Sequence, residues 1–327
     1  MRVRLSVLRA AAVAAVTAVA AVTAVTAVVA SAGAAAIPAA ASENQPARPV
    51  LSVGGEVSSP AAYTAAQLAA LPQATATVTI GGRQVTDTGV LLETLVSDAA
   101  PAYPATLLNT KNDLLRVTAT VRGAGGKAVT FAVGELDPNF GNHPALLALT
   151  QGGRPILGGP ELVVPGDRFP ARSVPRVSAV TVGISTAPAT NTAPPAGSPV
   201  EVIDGKRVIT LSAARLARLP EETLQVSFAG PSGQQTHTET GPPLLAVLAL
   251  AGIRPTPGTW VAATGDDNYV ATVTPAEQLI GGRPLQLSLA EDGTVLAQPR
   301  LVTDGDVKGG RYVSGIVDLY VGSGPAR

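Results

Sequence analysis

The chain has 327 residues, with 23 Lys and Arg against 23 Asp and Glu, two His and no Cys. Without cysteine there can be no disulfide, no thiolate metal ligand and no thiol nucleophile. The balanced charge leaves no basic footprint for nucleic acid or for an anionic membrane surface.

Met1-Arg-Val-Arg-Leu-Ser-Val-Leu-Arg9 sets three positive charges ahead of an uncharged Ala/Val/Thr stretch from Ala10 to about Ala36. This has the form of a secretory signal, with a small-residue cleavage site at Ala39-Ala-Ala41, so residues 1–41 read as a signal peptide and the remainder as an exported, extracytoplasmic protein. An uncleaved N-terminal membrane anchor is the rival reading, because about 20 apolar residues suffice to cross a bilayer. Alanines crowding the cleavage end favour removal. Three arginines go with the segment, which leaves 20 basic against 23 acidic residues.

Residues 42–49 lack apolar periodicity and read as a disordered lead-in. Thereafter the chain says one thing twice. Leu68-Ala-Ala-Leu71-Pro72 returns as Leu216-Ala-Arg-Leu219-Pro220, and Thr88-Gly89 as Thr240-Gly241. Glu135 and Glu277 follow 142 apart, Pro144-Ala-Leu-Leu147 and Pro284-Leu-Gln-Leu287 140 apart, and Asp167 with Asp306, like Arg172 with Arg311, 139 apart. Ordered blocks with slowly drifting offsets mark a duplication, with domains at 50–184 and 200–327 joined by a Pro/Thr/Ala linker at 185–199.

Within each copy, Val50–Val53 and Pro199–Ile203 read as opening strands, and Thr64 or Ser212 caps a short helix that stops before Pro72 or Pro220. Ala74–Ile80 and Thr223–Phe228 alternate at period two and are rich in β-branched residues, so they read as strands. A helix is expected from Pro242, with Leu244, Leu245 and Leu248 forming its apolar stripe. Strands are expected at Leu115–Val121, Ala128–Val133, Trp260–Thr264, Tyr269–Val273, Leu285–Leu289 and Leu301–Thr303, with closing strands at Val177–Ile184 and Tyr312–Val321. The class is α+β with β in excess.

Gly55-Glu-Val57, Leu71-Pro72, Thr88-Gly89-Val90 and Gly159-Pro160-Glu-Leu-Val-Val-Pro-Gly166, echoed by Thr240-Gly241, Asp267-Asn268-Tyr269 and Pro299-Arg-Leu-Val302, resemble the words of the molybdopterin-binding domain of the sulfite oxidase family. The resemblance implies two tandem sulfite-oxidase-like domains and a molybdopterin cofactor. In that family a cysteine after the early strand ligates molybdenum. Here Gly81-Gly82-Arg83 and Ala229-Gly-Pro-Ser232 stand there instead, and Arg2-Val3-Arg4 is not the twin-arginine pair expected of a protein exported folded around such a cofactor. The expectation is therefore the fold without the redox reaction: a secreted binding or scaffold module for a small molecule or a protein. A molybdopterin-dependent oxidoreductase with a non-cysteine ligand is the alternative.

Arg168 and Arg172 lie where the resembled family holds its pterin phosphate, so they are the candidate cofactor-binding residues; otherwise they are solvated surface charges. Gly152-Gly153 and Gly158-Gly159-Pro160 read as turns rather than a phosphate cradle. Asp266-Asp267-Asn268 and Asp304-Gly-Asp306 read as turns rather than calcium loops. No catalytic and no metal-ligating residue is assigned. His143 and His237 read as surface or turn histidines, with no nucleophile motif beside them. Glu135 and Glu277 could serve a carboxylate-based extracellular hydrolase if brought within about 5–10 Å; the plainer reading puts them in first helical turns.

Overall fold

The computed structural model describes residues 48–80, 82–230 and 233–326. The expected signal segment at 1–41 and nearly all of the expected lead-in at 42–49 lie outside them. Among the described residues no helix is long and apolar enough to cross a membrane.

The first half runs β1 (Leu51–Gly55), β2 (Ala61–Tyr63), α1 (Ala65–Ala70), β3 (Ala74–Ile80), β4 (Arg83–Leu91), α2 (Leu92–Asp98), β5 (Val117–Arg122), β6 (Ala128–Ala132), α3 (Val133–Leu136), β7 (Leu146–Gln151), β8 (Arg154–Pro155), β9 (Glu161–Val163) and β10 (Ala179–Ile184). The second runs β11 (Val200–Asp204), β12 (Arg207–Leu211), α4 (Ala213–Leu216), β13 (Glu222–Gly230), β14 (Gly233–Gly241), α5 (Leu244–Leu250), β15 (Thr259–Gly265), β16 (Val270–Val273), β17 (Leu285–Glu291), β18 (Thr294–Thr303) and β19 (Ile316–Ser323). The α+β, β-rich class expected from the sequence is what the chain adopts.

One sheet has the order β2-β1-β10-β5-β6 and another β12-β11-β19-β15-β16, which is the same path taken one half later. In each, the first strand pairs in parallel with the last strand of its half and the other neighbours are antiparallel. The hairpin β3-β4 extends through β7, as β13-β14 extends through β17. A separate apolar core lies within each half, one around Leu68, Leu95, Phe131 and Leu147 and the other around Leu216, Leu248, Val261 and Leu287.

The repeated words have physical reasons. Leu68 and Leu216 are the buried residues of α1 and α4; Pro72 directly follows the C-cap Leu71 of α1, whereas α4 already ends at Leu216, four residues short of Pro220. Thr64 caps α1 in a full capping box with Gln67, whereas Ser212 caps α4 through the Arg215 N–H alone. Gly89 and Gly241 sit where β4 crosses β7 and β14 crosses β17; a Cβ there would stand 2.0 Å from the Leu147 carbonyl oxygen and 2.2 Å from that of Leu287. Only glycine lets the two backbones approach so closely.

Several boundaries differ from expectation. Leu115 and Arg116 belong to a 3₁₀ turn ahead of β5, and β18 begins seven residues before Leu301. Helix α5 starts at Leu244, and Val247 takes the buried place expected of Leu245. Strands β4 (RQVTDTGVL) and β14 (GQQTHTETG) were not expected, because so polar a composition carries little hydrophobic alternation.

The segment 185–199 has no regular structure but is tied along the second half: the Thr190 N–H and hydroxyl donate to Asp318 at 2.7 and 2.8 Å, and Tyr320 donates to the Pro188 carbonyl at 2.8 Å. The halves also interlock. Leu115 packs in the second core, and the Ala326 N–H reaches back to Thr118 Oγ1 at 2.9 Å.

Candidate functional site

The duplicated charges converge. In the first half, Glu135 at the start of α3, Asp167 in the loop after β9 and Arg172 in the 3₁₀ turn Pro170–Arg172 form a buried cluster. Arg172 Nη1 donates to Glu135 at 2.7 Å, while Nε and Nη2 donate to the two oxygens of Asp167 at 2.9 and 2.6 Å. The guanidinium also lies 5.1 Å from the centre of the Phe131 ring. In the second half, Arg311 grips Glu277 at 2.9 and 2.8 Å and Asp306 at 2.9 and 2.5 Å. Both arginines have no exposed surface.

Each cluster has a fourth member at the position preceding a repeated proline. His143 Nδ1 is 3.0 Å from Glu135 and Nε2 is 3.5 Å from Asp167; in the second half Arg283 takes this place, 3.6 Å from Glu277 and 3.2 Å from Asp306. Burial by itself would push the Glu135 carboxyl up, but Arg172, His143 and the more distant Arg311 outweigh it and hold the group down to about 2. Burial disfavours the charge on Arg172, and Glu135 and Asp167 more than restore it, so its pKa is raised. Arg311 is raised for the same reason by Asp306 and Glu277.

The clusters lie at the contact between halves. A Cβ on Gly134 would come within 3.0 Å of Arg311 Cδ, and one on Gly281 within 3.0 Å of Arg172 Nη2. Arg283 donates across the boundary to the Gly141 carbonyl at 2.6 Å.

This geometry corrects several expectations. Arg172 is not a solvated surface charge, and its donors are committed to two carboxylates, which a phosphate would have to displace. Arg168 is exposed, with its side chain folded over Gly282 and its backbone N–H on Ile280. The two candidate cofactor arginines thus point into different surroundings. His143 is buried within the ion cluster rather than lying at the surface, whereas His237 is half-buried and pairs with Asp292 at 2.9 Å. Glu135 and Glu277 do sit in helical turns, but they are fully buried and ion-paired, so neither can meet the substrate of a hydrolase. Asp306 belongs to the Arg311 cluster, while Asp267 is a turn residue accepting the Tyr269 N–H at 2.8 Å. Gly152, Gly153, Gly158 and Gly159 take positive φ in turns, as the sequence suggests.

A cleft of about 860 Å³ opens where the halves meet, a size typical of small-molecule sites. Phe140 of the first half and Phe228, Tyr269 and Tyr312 of the second wall it, and Gly309-Gly310 form its floor. The floor must be glycine: a Cβ on Gly309 would enter the Phe228 ring at 2.6 Å, and one on Gly310 the Phe140 ring at 2.2 Å. Tyr269 is fixed by donating to the Gly310 carbonyl at 2.5 Å and accepting from Asn112 at 2.9 Å. Lys308 donates to Asn139, and Lys111 lies over the Tyr269 ring. Asp266, half-buried in the wall, has no hydrogen-bond or ionic partner for its carboxylate among the described residues. Sequence reasoning missed this site, since its aromatics come from four separated segments.

Ala229 and Gly230, where the resemblance puts a metal ligand, form part of this wall, and the preceding Phe228 closes over Gly309. No lining residue offers a thiolate, so the site does not fit a thiolate-ligated molybdenum centre.

No family model matches the sequence, and no curated protein matches it. Among solved structures the chain is similar to the sulfane dehydrogenase SoxCD from Paracoccus pantotrophus, at 15% identity and a TM-score of 0.31, over 79% of this chain and 63% of that one. At that distance the likeness assigns neither an activity nor a cofactor.

Proposed function

We propose that the chain is an exported binding module, a tandem of two sulfite-oxidase-like units that has given up molybdenum chemistry and takes a small ligand in the cleft between its halves. The observation that carries this reading is the aromatic-walled cleft of about 860 Å³ with one uncommitted carboxylate, Asp266. Flat rings favour a ligand with an apolar face, and a partly desolvated carboxylate favours hydroxyl or amine groups at its edge. In the buried clusters each arginine is already paired with two carboxylates, and the clusters act as joints between the units.

Isothermal titration of the purified chain against a panel of sugars, polyols and aromatic amines tests this. A binder whose affinity falls at least tenfold in both Phe228→Ala and Asp266→Asn supports it. Stoichiometric molybdenum with pterin fluorescence in protein purified from its source would overturn it in favour of an oxidoreductase with a non-cysteine ligand.

A further inference from the structure

The cleft between the halves does not end at its aromatic walls. Asp266, Ser314 and Gly315 line both it and a second hollow of about 240 Å³, so the two form one groove with Asp266 on the saddle. Free-standing ligand sites run to roughly 300–1,000 Å³, so the hollow is an annex of the cleft. An irregularity in β18 makes it: Ser288 pairs with Arg300 and Ala290 with Val295, which leaves Leu289 alone opposite Leu296-Ala-Gln-Pro299. Such bulges re-aim side chains. This one sets Gln298 against the linker, where its Nε2 donates to the Pro195 carbonyl at 2.8 Å. A carbonyl only accepts, so the amide orientation is fixed and Oε1 is turned away from Pro195. Gln298 is only 9% exposed, and that oxygen has no hydrogen-bond partner among the described residues. Arg300, also on the annex wall, is committed to Glu239, Glu291 and the Ser314 hydroxyl oxygen.

The first half lacks these groups. At the 139-residue offset Gly159, Pro175 and Arg176 take the places of Gln298, Ser314 and Gly315, and at the 142-residue offset Ala124 takes that of Asp266. The Arg176 side chain lies over Gly158, where a Cβ would stand 3.2 Å from its Cδ. Both halves share one strand path, so the fold itself does not require the acceptors.

A buried acceptor without a donor is costly, so a ligand that brings donors is favoured. The lining of the cleft sets Lys111 and Lys308 against Asp266 and Asp267, which gives neither a cation nor an anion an advantage in net charge. Hydroxyl groups suit both ends, since each can donate to Asp266 or Gln298 and accept from a lysine. The flat rings of Phe140, Phe228, Tyr269 and Tyr312 offer apolar faces to sugar rings. Resting on the reading that the cleft takes a small ligand, we propose that this ligand is a short, linear, uncharged oligosaccharide. It stacks on the aromatic walls and extends one sugar unit past Asp266 into the annex, where its hydroxyls donate to Asp266 and to Gln298 Oε1.

The test is isothermal titration of the full chain with glucose, xylose and N-acetylglucosamine oligomers of increasing length, from the single sugar upward. In one series the affinity should gain about tenfold at the unit that reaches the annex, the yield of one or two hydrogen bonds. Gln298→Leu should erase that step, so that the longer members bind no tighter than the one before it, whereas Phe228→Ala should weaken every member. Ala297→Trp, which fills the annex from an exposed position, should erase the step as well and decides if Gln298→Leu does not fold. Sugar binding without a length step, or with a step that persists in both annex variants, overturns the inference while the cleft reading stands. Binding confined to aromatic amines does the same. No binding by any sugar or amine overturns both.

Discussion

The two halves follow one strand path yet differ in how they neutralise buried acid. The second half uses arginine at both places, Arg283 beside Glu277 and Arg300 beside Glu239; the first has His143 and Glu161 there. A guanidinium keeps its charge at any physiological pH and bonds two carboxylates at once, whereas imidazole can lose its charge and glutamate repels. The fold therefore tolerates loss of a built-in cation at these positions, but Arg172 and Arg311, which touch both acids of their clusters, occupy the same place in both halves. What the difference teaches is which charges fasten the architecture and which are open to local change.

The largest expected effect tests that division. Arg311→Met leaves Glu277 and Asp306 buried against one partly exposed arginine, and Arg172→Met leaves Glu135 and Asp167 with only His143. Each should cost about 3–5 kcal/mol in urea unfolding. A cost below about 1 kcal/mol for either variant, the size expected of a surface pair, would break the comparison.

Acid comes next. The folded pKa of Glu135, about 2, lies below its ordinary value near 4.5, so the stability it contributes is fully present above pH 4.5 and is lost as pH falls through about 2. The gap corresponds to about 3 kcal/mol. Glu135→Gln should flatten the acid limb of the stability curve between pH 5 and 2 and lower stability at pH 7. An unchanged acid limb would mean that other carboxylates govern acid unfolding.

The smallest effect sharpens the comparison at the helices. Thr64→Ala removes a reciprocal capping box and should cost about 1 kcal/mol, while Ser212→Ala removes a single bond and should cost about 0.5 kcal/mol. Reversal of that order in thermal or urea unfolding would show that tertiary contacts set the helix ends.

Much of this was legible in the residues. Thr88-Gly89 and Thr240-Gly241 stand out in the sequence because a backbone crossing admits only glycine, and such a constraint leaves the same letter twice. Glu135, Asp167 and Arg172 also recur in order, and weighing each residue singly hid that they form one cluster; the nearly constant offsets were the available signal. The match of His143 to Arg283 was hidden for a related reason, since aligning the two histidines with each other shows nothing. Polar β4 and β14 stayed invisible because backbone pairing, not an apolar face, holds them. The cleft stayed invisible because Phe140, Phe228, Tyr269 and Tyr312 meet only through long-range topology.

Leu115 gives the arrangement a further meaning. It is covalently part of the first half and packs as part of the second core, beside Arg116, which donates to the Asn268 carbonyl across the boundary at 2.9 Å. The halves are thus not interchangeable cassettes. A second half expressed alone would carry a leucine-sized hole, and a first half expressed alone an oily peg, so dividing this chain for engineering means rewriting both sides of that one socket.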